Sequence, residues 1–361
     1  MSKDEAMSED GVFDAEEVYA RASWKKTLFT LILVVAVAAL AIFAISMGAA
    51  SLGMGESFRV VLAEFMPMED VSSFAQVVVL QLRLPRILMA VITGISLGVA
   101  GAAMQGVLRN PLVSPYTLGL SSGAACGAAI AIVLGVGLLG TGRYIIAINA
   151  FFFSMLTMAI VYGISRIKGT SVETLILAGV AMGYLFSAVI SLLKYVSGHE
   201  ELREVVFWLM GGLYTARWEN VIILIPTVLI LTTILMRYSW DLNAMSAGEE
   251  VASSLGINVN RVRVTCLTLA TILTASVIAF TGIIGFIGLV SPHVCRLLIG
   301  SDHRYLIPCS GLIGALLLLA SDTACRTMIS PTEIPVGIVT SFIGVPFFLY
   351  LLVRRKRRWW Q

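Results

Sequence analysis

The chain has 361 residues, 58% of them hydrophobic and 13% charged, with a formal net charge of +3 and a mean hydropathy of +0.91. A soluble domain carries roughly 25% charged residues, so about half the usual charge would have to cover the whole surface. That excludes a set of soluble domains and predicts a polytopic membrane protein covered largely by lipid.

Residues 1–26 open the chain with an acidic segment (Asp4, Glu5, Glu9, Asp10, Asp14, Glu16 and Glu17). It has no apolar core, so it is not read as a secretory signal; a solvated, partly disordered cytoplasmic tail is expected. A helix crosses hydrocarbon in about 20 apolar residues because its backbone hydrogen bonds close internally. Apolar runs between charges and Gly/Pro clusters place spans at 27–47, 84–108, 115–137, 143–165, 171–193, 220–238, 261–282, 286–300, 306–326 and 334–353. The 286–300 run is short and contains Pro292. The fold class is therefore all-α, with a ten-helix membrane domain over 27–353. The connection 239–260 contains Gly248–Ile257, which reads as a short helix ended by Gly256. It is either a plain connector or an element that fits a groove on a soluble partner. Residues 354–361, with Arg354, Arg355, Lys356, Arg357, Arg358, Trp359 and Trp360, form a basic and aromatic cytoplasmic tail. Such a tail suits a membrane interface better than nucleic acid.

Lys and Arg set the orientation. With the N-terminus inside, 17 of the 25 basic residues fall on the cytoplasmic side. The remaining Arg59, Arg83, Arg86, Arg143, Lys194, Arg203, Arg217 and Arg326 fall outside, as the positive-inside rule requires. Both termini are then cytoplasmic.

Two stretches resemble each other at one offset. Arg86 and Leu112-Val113-Ser114-Pro115 are matched by Arg263 and Leu289-Val290-Ser291-Pro292, every pair 177 positions apart. The offset spans five helices, an odd number, so the second half would be inverted relative to the first. Inverted repeats with Gly/Pro-broken helices at equivalent places are a transporter signature.

Catalytic motifs are not found. His199-Glu200-Glu201-Leu202-Arg203 begins like a zinc-protease motif but has Arg203 where the second His belongs, and Ser165-x-x-Lys168 fits a basic helix end. No Lys follows a Gly, so the chain has no P-loop and cannot cradle ATP by itself. Cys126, Cys266, Cys295, Cys309 and Cys325 are odd in number, contain no C-x-x-C pair and read as packing residues. Helix centres are nearly free of charge, which weakens an ion-coupled secondary carrier, since such carriers keep titrating groups in the membrane. Asp322 and Arg326 can pair at i,i+4, while Glu173 and Glu333 stand where helix dipoles favour a carboxylate.

Taken together, several motifs resemble the FecCD-type permeases, the membrane subunits of ABC importers for iron complexes and cobalamin. They are Arg83-Leu84-Pro85-Arg86; Met104-Gln105-Gly106 with Arg109-Asn110-Pro111-Leu112; Leu177–Gly183; Trp208–Gly212; Gly248–Ile257; Gly285–His293; Asp302-His303-Arg304; and Glu333–Gly337. The resemblance covers about 81–354 and implies ten helices per subunit. It also implies a second permease subunit, two ATPase subunits and an extracytoplasmic substrate-binding protein, with no nucleic acid partner. ATP and Mg would be bound on the ATPase subunits, with no cofactor on this chain. It assigns Arg83, Arg86 and Arg326 to carboxylates of the binding protein; the alternatives are snorkelling for the first two and the Asp322 pair for the third. Gly248, Glu249, Glu250, Ala252, Leu255 and Gly256 would contact the ATPase. Asn110 and Leu112, with Thr170 and Ser171, would narrow the inner mouth, and the fifth and tenth spans would line the path. The cargo implied is a ferric siderophore, with cobalamin or haem as alternatives.

Overall fold

A computed structural model describes residues 10–48, 50, 52–64, 66, 72–137, 144–167, 171–329 and 332–353. Among these residues every regular element is helical. In chain order the helices are α1 (Asp10–Ser46), α2 (Met54–Ala63), α3 (Ser73–Val107), α4 (Leu120–Leu134), α5 (Ile145–Ile167), α6 (Val172–Val196) and α7 (His199–Met210). They continue as α8 (Trp218–Arg237), α9 (Ser239–Ala247), α10 (Glu249–Ser254), α11 (Val259–Thr281), α12 (Ile287–Ile299), α13 (His303–Thr327) and α14 (Val336–Val353). A helix lies at each of the ten expected spans. Seven are long and apolar enough to cross a membrane; α4, α12 and α14 are shorter.

Three expectations change. The acidic N-terminal segment is helical from Asp10 and runs without interruption into the first span. The second span begins at Ser73, not at residue 84, and includes a wider π turn over Val77–Arg83. That turn precedes Pro85, whose ring would collide with the carbonyl four residues back in a regular helix. The charges of Arg83 and Arg86 beside this proline ended the apolar run in the sequence, although the helix continues through them. In the 239–260 connection, Gly248 separates two helices, α9 and α10, where only the second was expected. The basic C-terminal tail lies outside the described residues.

Helix α3 is the centre of the bundle and is enclosed by α13, α11 and α12. Its glycines allow this. A Cβ on Gly94 would overlap the Gly314 carbonyl, one on Gly98 the Ser310 carbonyl and one on Gly101 the Gly288 carbonyl. Small residues let membrane helices approach backbone to backbone, where dispersion replaces the missing hydrophobic drive. Around this core, α1, α6 and α8 carry exposed Leu, Ile, Val and Tyr side chains, as lipid-facing helices do.

The 177-residue offset has a physical trace. The hydroxyl of Ser96 on α3 donates to the carbonyl of Leu273 on α11 at 2.8 Å, and these positions are 177 apart. Residues equivalent under a pseudo-twofold axis touch where that axis passes between them. Pro115, at the end of the first Leu-Val-Ser-Pro, packs against Gly288, which immediately precedes the second.

Candidate functional site

Among the described residues a cavity of about 900 Å³ opens between the helices. One wall is α14, through Gly337, Ile338, Ser341, Phe342, Val345 and Pro346; the facing wall is the break between α11 and α12, through Ile283, Gly285, Phe286 and Leu289. Ser114, Tyr116 and Thr117 close one side and Leu209 and Met210 the other. None of these lining residues is charged. Both Leu-Val-Ser-Pro motifs reach the cavity, one through Ser114 and the other through Leu289. Of the two spans expected to line the path, α14 contributes lining residues to this cavity and α6 contributes none.

The broken helix explains the cavity's shape. Phe286 has φ of 64°, a left-handed conformation that costs a residue with a side chain of order 1–3 kcal/mol. It turns the chain sharply into α12 and sets its ring against Gly344 of α14, where a Cβ would not fit. Where Met210, Ile283 and Gly337 meet, the cavity wall is main chain. The Gly212 N–H donates to Thr281 O at 2.8 Å and the Gly337 N–H to Gly211 O at 3.3 Å. Cβ atoms on Gly211, Gly282 or Gly337 would overlap the carbonyls of Ile283, Trp208 and Met210 respectively. Three segments distant in sequence thus join with no side chain between them.

Beside this junction lies a charge cluster. Asp322 is fully buried and bridges two guanidinium groups, Arg86 Nε at 2.9 Å and Arg326 Nε at 3.0 Å. Arg86 also donates to Glu333 at 2.6 Å. Arg326 reaches the Met47 carbonyl at 3.1 Å, and Arg83 donates to Ile45 O at 2.8 Å and Ala50 O at 2.6 Å. Cations at the carbonyl end of α1 complement its dipole. Arg83 and Arg326 are about 5% and 4% exposed. Both face inward, and the pairing of Arg326 with Asp322 is present. Arg86 reaches a small surface pocket shared with Tyr214, Glu333 and Pro335. Glu333, expected at a helix start, instead lies three residues ahead of α14 and holds Arg86. Nothing in the sequence signalled that pairing, because 247 residues separate the two.

At the opposite ends of α3 and α13 stand the other candidates. Asn110 accepts from the Leu112 N–H at 3.0 Å, a local turn, and Ser171 caps α6 by accepting from the Thr174 N–H at 3.2 Å. Neither of them nor Leu112 lines the cavity, and Thr170 lies outside the described residues. In the 239–260 connection, Ala252 is buried, Leu255 is 67% exposed, and Glu249 pairs with the buried Arg263. Gly248 and Gly256 have φ of 139° and 82°, which glycine alone adopts freely. Alongside, Asp302 accepts from Arg304 and from Asn243. Burial opposes its ionisation, but the bonds from Arg304 and Asn243 outweigh it and hold the carboxyl well below the usual carboxylate range.

The FecCD transport family matches residues 24–354. The chain belongs to that family. The FecCD chain is 42% identical to the cobalamin import system permease protein of Halobacterium salinarum, over 79% of this chain and 75% of that one. It is 37% identical to the molybdate import system permease protein of Haemophilus influenzae, over 93% of this chain and 97% of that one. A solved structure, provisionally described as a metal-chelate type ABC transporter in an inward-facing conformation, superposes with a TM-score of 0.79 at 34% identity. It covers 91% of the FecCD chain and is itself covered completely. As a member of this family the chain is a multi-pass membrane permease.

Proposed function

We propose that the chain is the permease subunit of a binding-protein-dependent ABC importer in the cytoplasmic membrane, and that it translocates a bulky metal chelate of the ferric siderophore class. It would work with a second permease subunit, two ATPase subunits and an extracytoplasmic binding protein, with ten spans and both termini inside. The carrying observation is the uncharged cavity of about 900 Å³, with hydroxyl, aromatic and aliphatic walls. A small oxyanion such as molybdate would need fixed donors to replace its hydration, and none is charged here. A large chelate with its metal already satisfied needs only room and weak contacts. Cobalamin and haem meet the same description and stand as the second cargo reading.

In this reading Arg86, backed by the buried Arg83 and Arg326, is the docking point for binding-protein carboxylates; an arginine fork pairs with a carboxylate bidentately. Gly248, Glu249, Glu250, Ala252, Leu255 and Gly256 form the ATPase contact. Asn110, Leu112, Thr170 and Ser171 surround the inner mouth. The main-chain junction at Gly211, Gly282 and Gly337 is the outer closure. ATP binding on the partner subunits would shift the path between inward and outward access.

The test is to tag the chain, extract it gently from its native membrane and identify what accompanies it by mass spectrometry. A P-loop ATPase in equal amount is expected. Uptake in vesicles should then follow iron-55 delivered as a ferric siderophore and be unaffected by an ionophore. Recovery of the chain without an ATPase, even after crosslinking at Glu250, together with uptake that collapses with the ionophore, would replace the importer reading with a secondary carrier.

A further inference from the structure

We infer that Asn243 and His303 are positioning residues that carry displacement of the helices α9 and α10 into the central α3–α13 pair; this rests on the ATPase-coupled reading above. Asn243 lies in α9, and its side-chain carbonyl accepts both the His303 backbone N–H at 2.8 Å and ring Nδ1 at 2.9 Å. Its amide donates to Asp302 at 2.8 Å. Only one amide orientation satisfies all three contacts, since the reverse would set oxygen against carboxylate and N–H against N–H. The same logic places the ring proton on Nδ1. His303 Nε2, without a hydrogen-bond partner, is then pressed against Gly106 in the last turn of α3, in the space a Cβ there would need.

Each step of the linkage is a direct contact between buried or half-buried groups. The ring of His303 is 1% exposed and sits in the first turn of α13. Arg304, the next residue, chelates Asp302 and lies 4.3 Å from the ring centre of Trp240, also on α9. Helix α9, which buries Leu242 and Met245 in the bundle core, is thereby also fixed by two polar contacts to the start of α13. Through Gly106 it also bears on the end of α3. Those two helices touch along their length by glycine-to-carbonyl contacts, so they move as one body. On the other side, α9 continues through Gly248 into α10, where Glu249 holds Arg263 of α11.

The test follows motion directly and needs no cargo. A Ser341→Cys reporter in the cavity is labelled with a membrane-impermeant maleimide, in the assembled importer, with and without a trapped ATP analogue. Coupling between sites typically amounts to about 5–150-fold, so a change of labelling rate of at least about fivefold is expected in the parent importer. In Asn243→Ala and Asn243→Asp the change should fall below about twofold while ATP hydrolysis and subunit stoichiometry persist. An undiminished response in Asn243→Ala would overturn the inference. So would loss of the response only together with loss of the ATPase subunit, because Asn243 would then merely hold the assembly. A parent importer that hydrolyses ATP without any change at Ser341→Cys would refute the ATPase-coupled reading itself.

Discussion

Replacing Asp322 by Ala removes the carboxylate that pairs with both Arg86 and Arg326. Arg86 keeps Glu333, whose side chain is 38% exposed and can also draw on water. Arg326 is about 4% exposed and keeps only the Met47 carbonyl and the Thr323 hydroxyl. Stranding one buried charge typically costs about 3–5 kcal/mol, a large share of the 5–15 kcal/mol that holds a typical domain together. The expected outcome is a fall in the detergent melting temperature and a marked drop in membrane abundance. Adding Arg326→Met should recover most of the loss, since the guanidinium is then gone as well; the double-mutant cycle isolates that coupling. If Asp322→Ala alone stays within about 1 kcal/mol of the parent, the cluster is not an energetic unit. The docking role of Arg86 would then need no internal competitor.

Two further outcomes follow from other parts of the molecule. Gly101→Ala places a methyl group on the Gly288 carbonyl, so α3 and α12 must separate; overpacking of this kind costs typically 1–3 kcal/mol or more, read as reduced yield and melting temperature, while Gly163→Ala, which meets open space, should be neutral. Asp302→Asn tests the depressed carboxyl: its folded value lies below its unfolded value, so its contribution is complete above the unfolded pKa of about 4. The destabilisation by Asp302→Asn should therefore be constant from pH 8 to pH 5 and shrink only as the parent protonates in stronger acid, as followed by melting temperature against pH.

Much of the fold was legible because lipid imposes a coarse rule. Each apolar run long enough to span produced a helix, and Gly256 ended α10 as its position suggested. Helix ends were less legible, because Pro85 is compatible both with a first turn and with a π turn, and only packing around residues 77–83 decides. The site was legible in its parts and not in its pairings. Arg86 and Glu333 were both noticed, yet their meeting depends on how α3 and the segment before α14 come together. Asn243 was overlooked altogether, since an asparagine in a polar connection carries no signal until His303 is seen beside it. The reading of Arg83 as an outward-facing group gave way for the same reason: its partners are backbone carbonyls, which have no sequence signature.

The Gly211–Gly282–Gly337 junction bears on how one scaffold can serve unlike cargoes. If it is the outer closure proposed above, a barrier made of peptide groups would offer a passing molecule no side chain to match or mismatch, and would hold ions back by fit alone. Discrimination can then change elsewhere, by exchange of a soluble subunit or of wall residues such as Tyr116 and Phe342, without redesigning the barrier. In such a frame, leak-tightness and selectivity can evolve as separate traits.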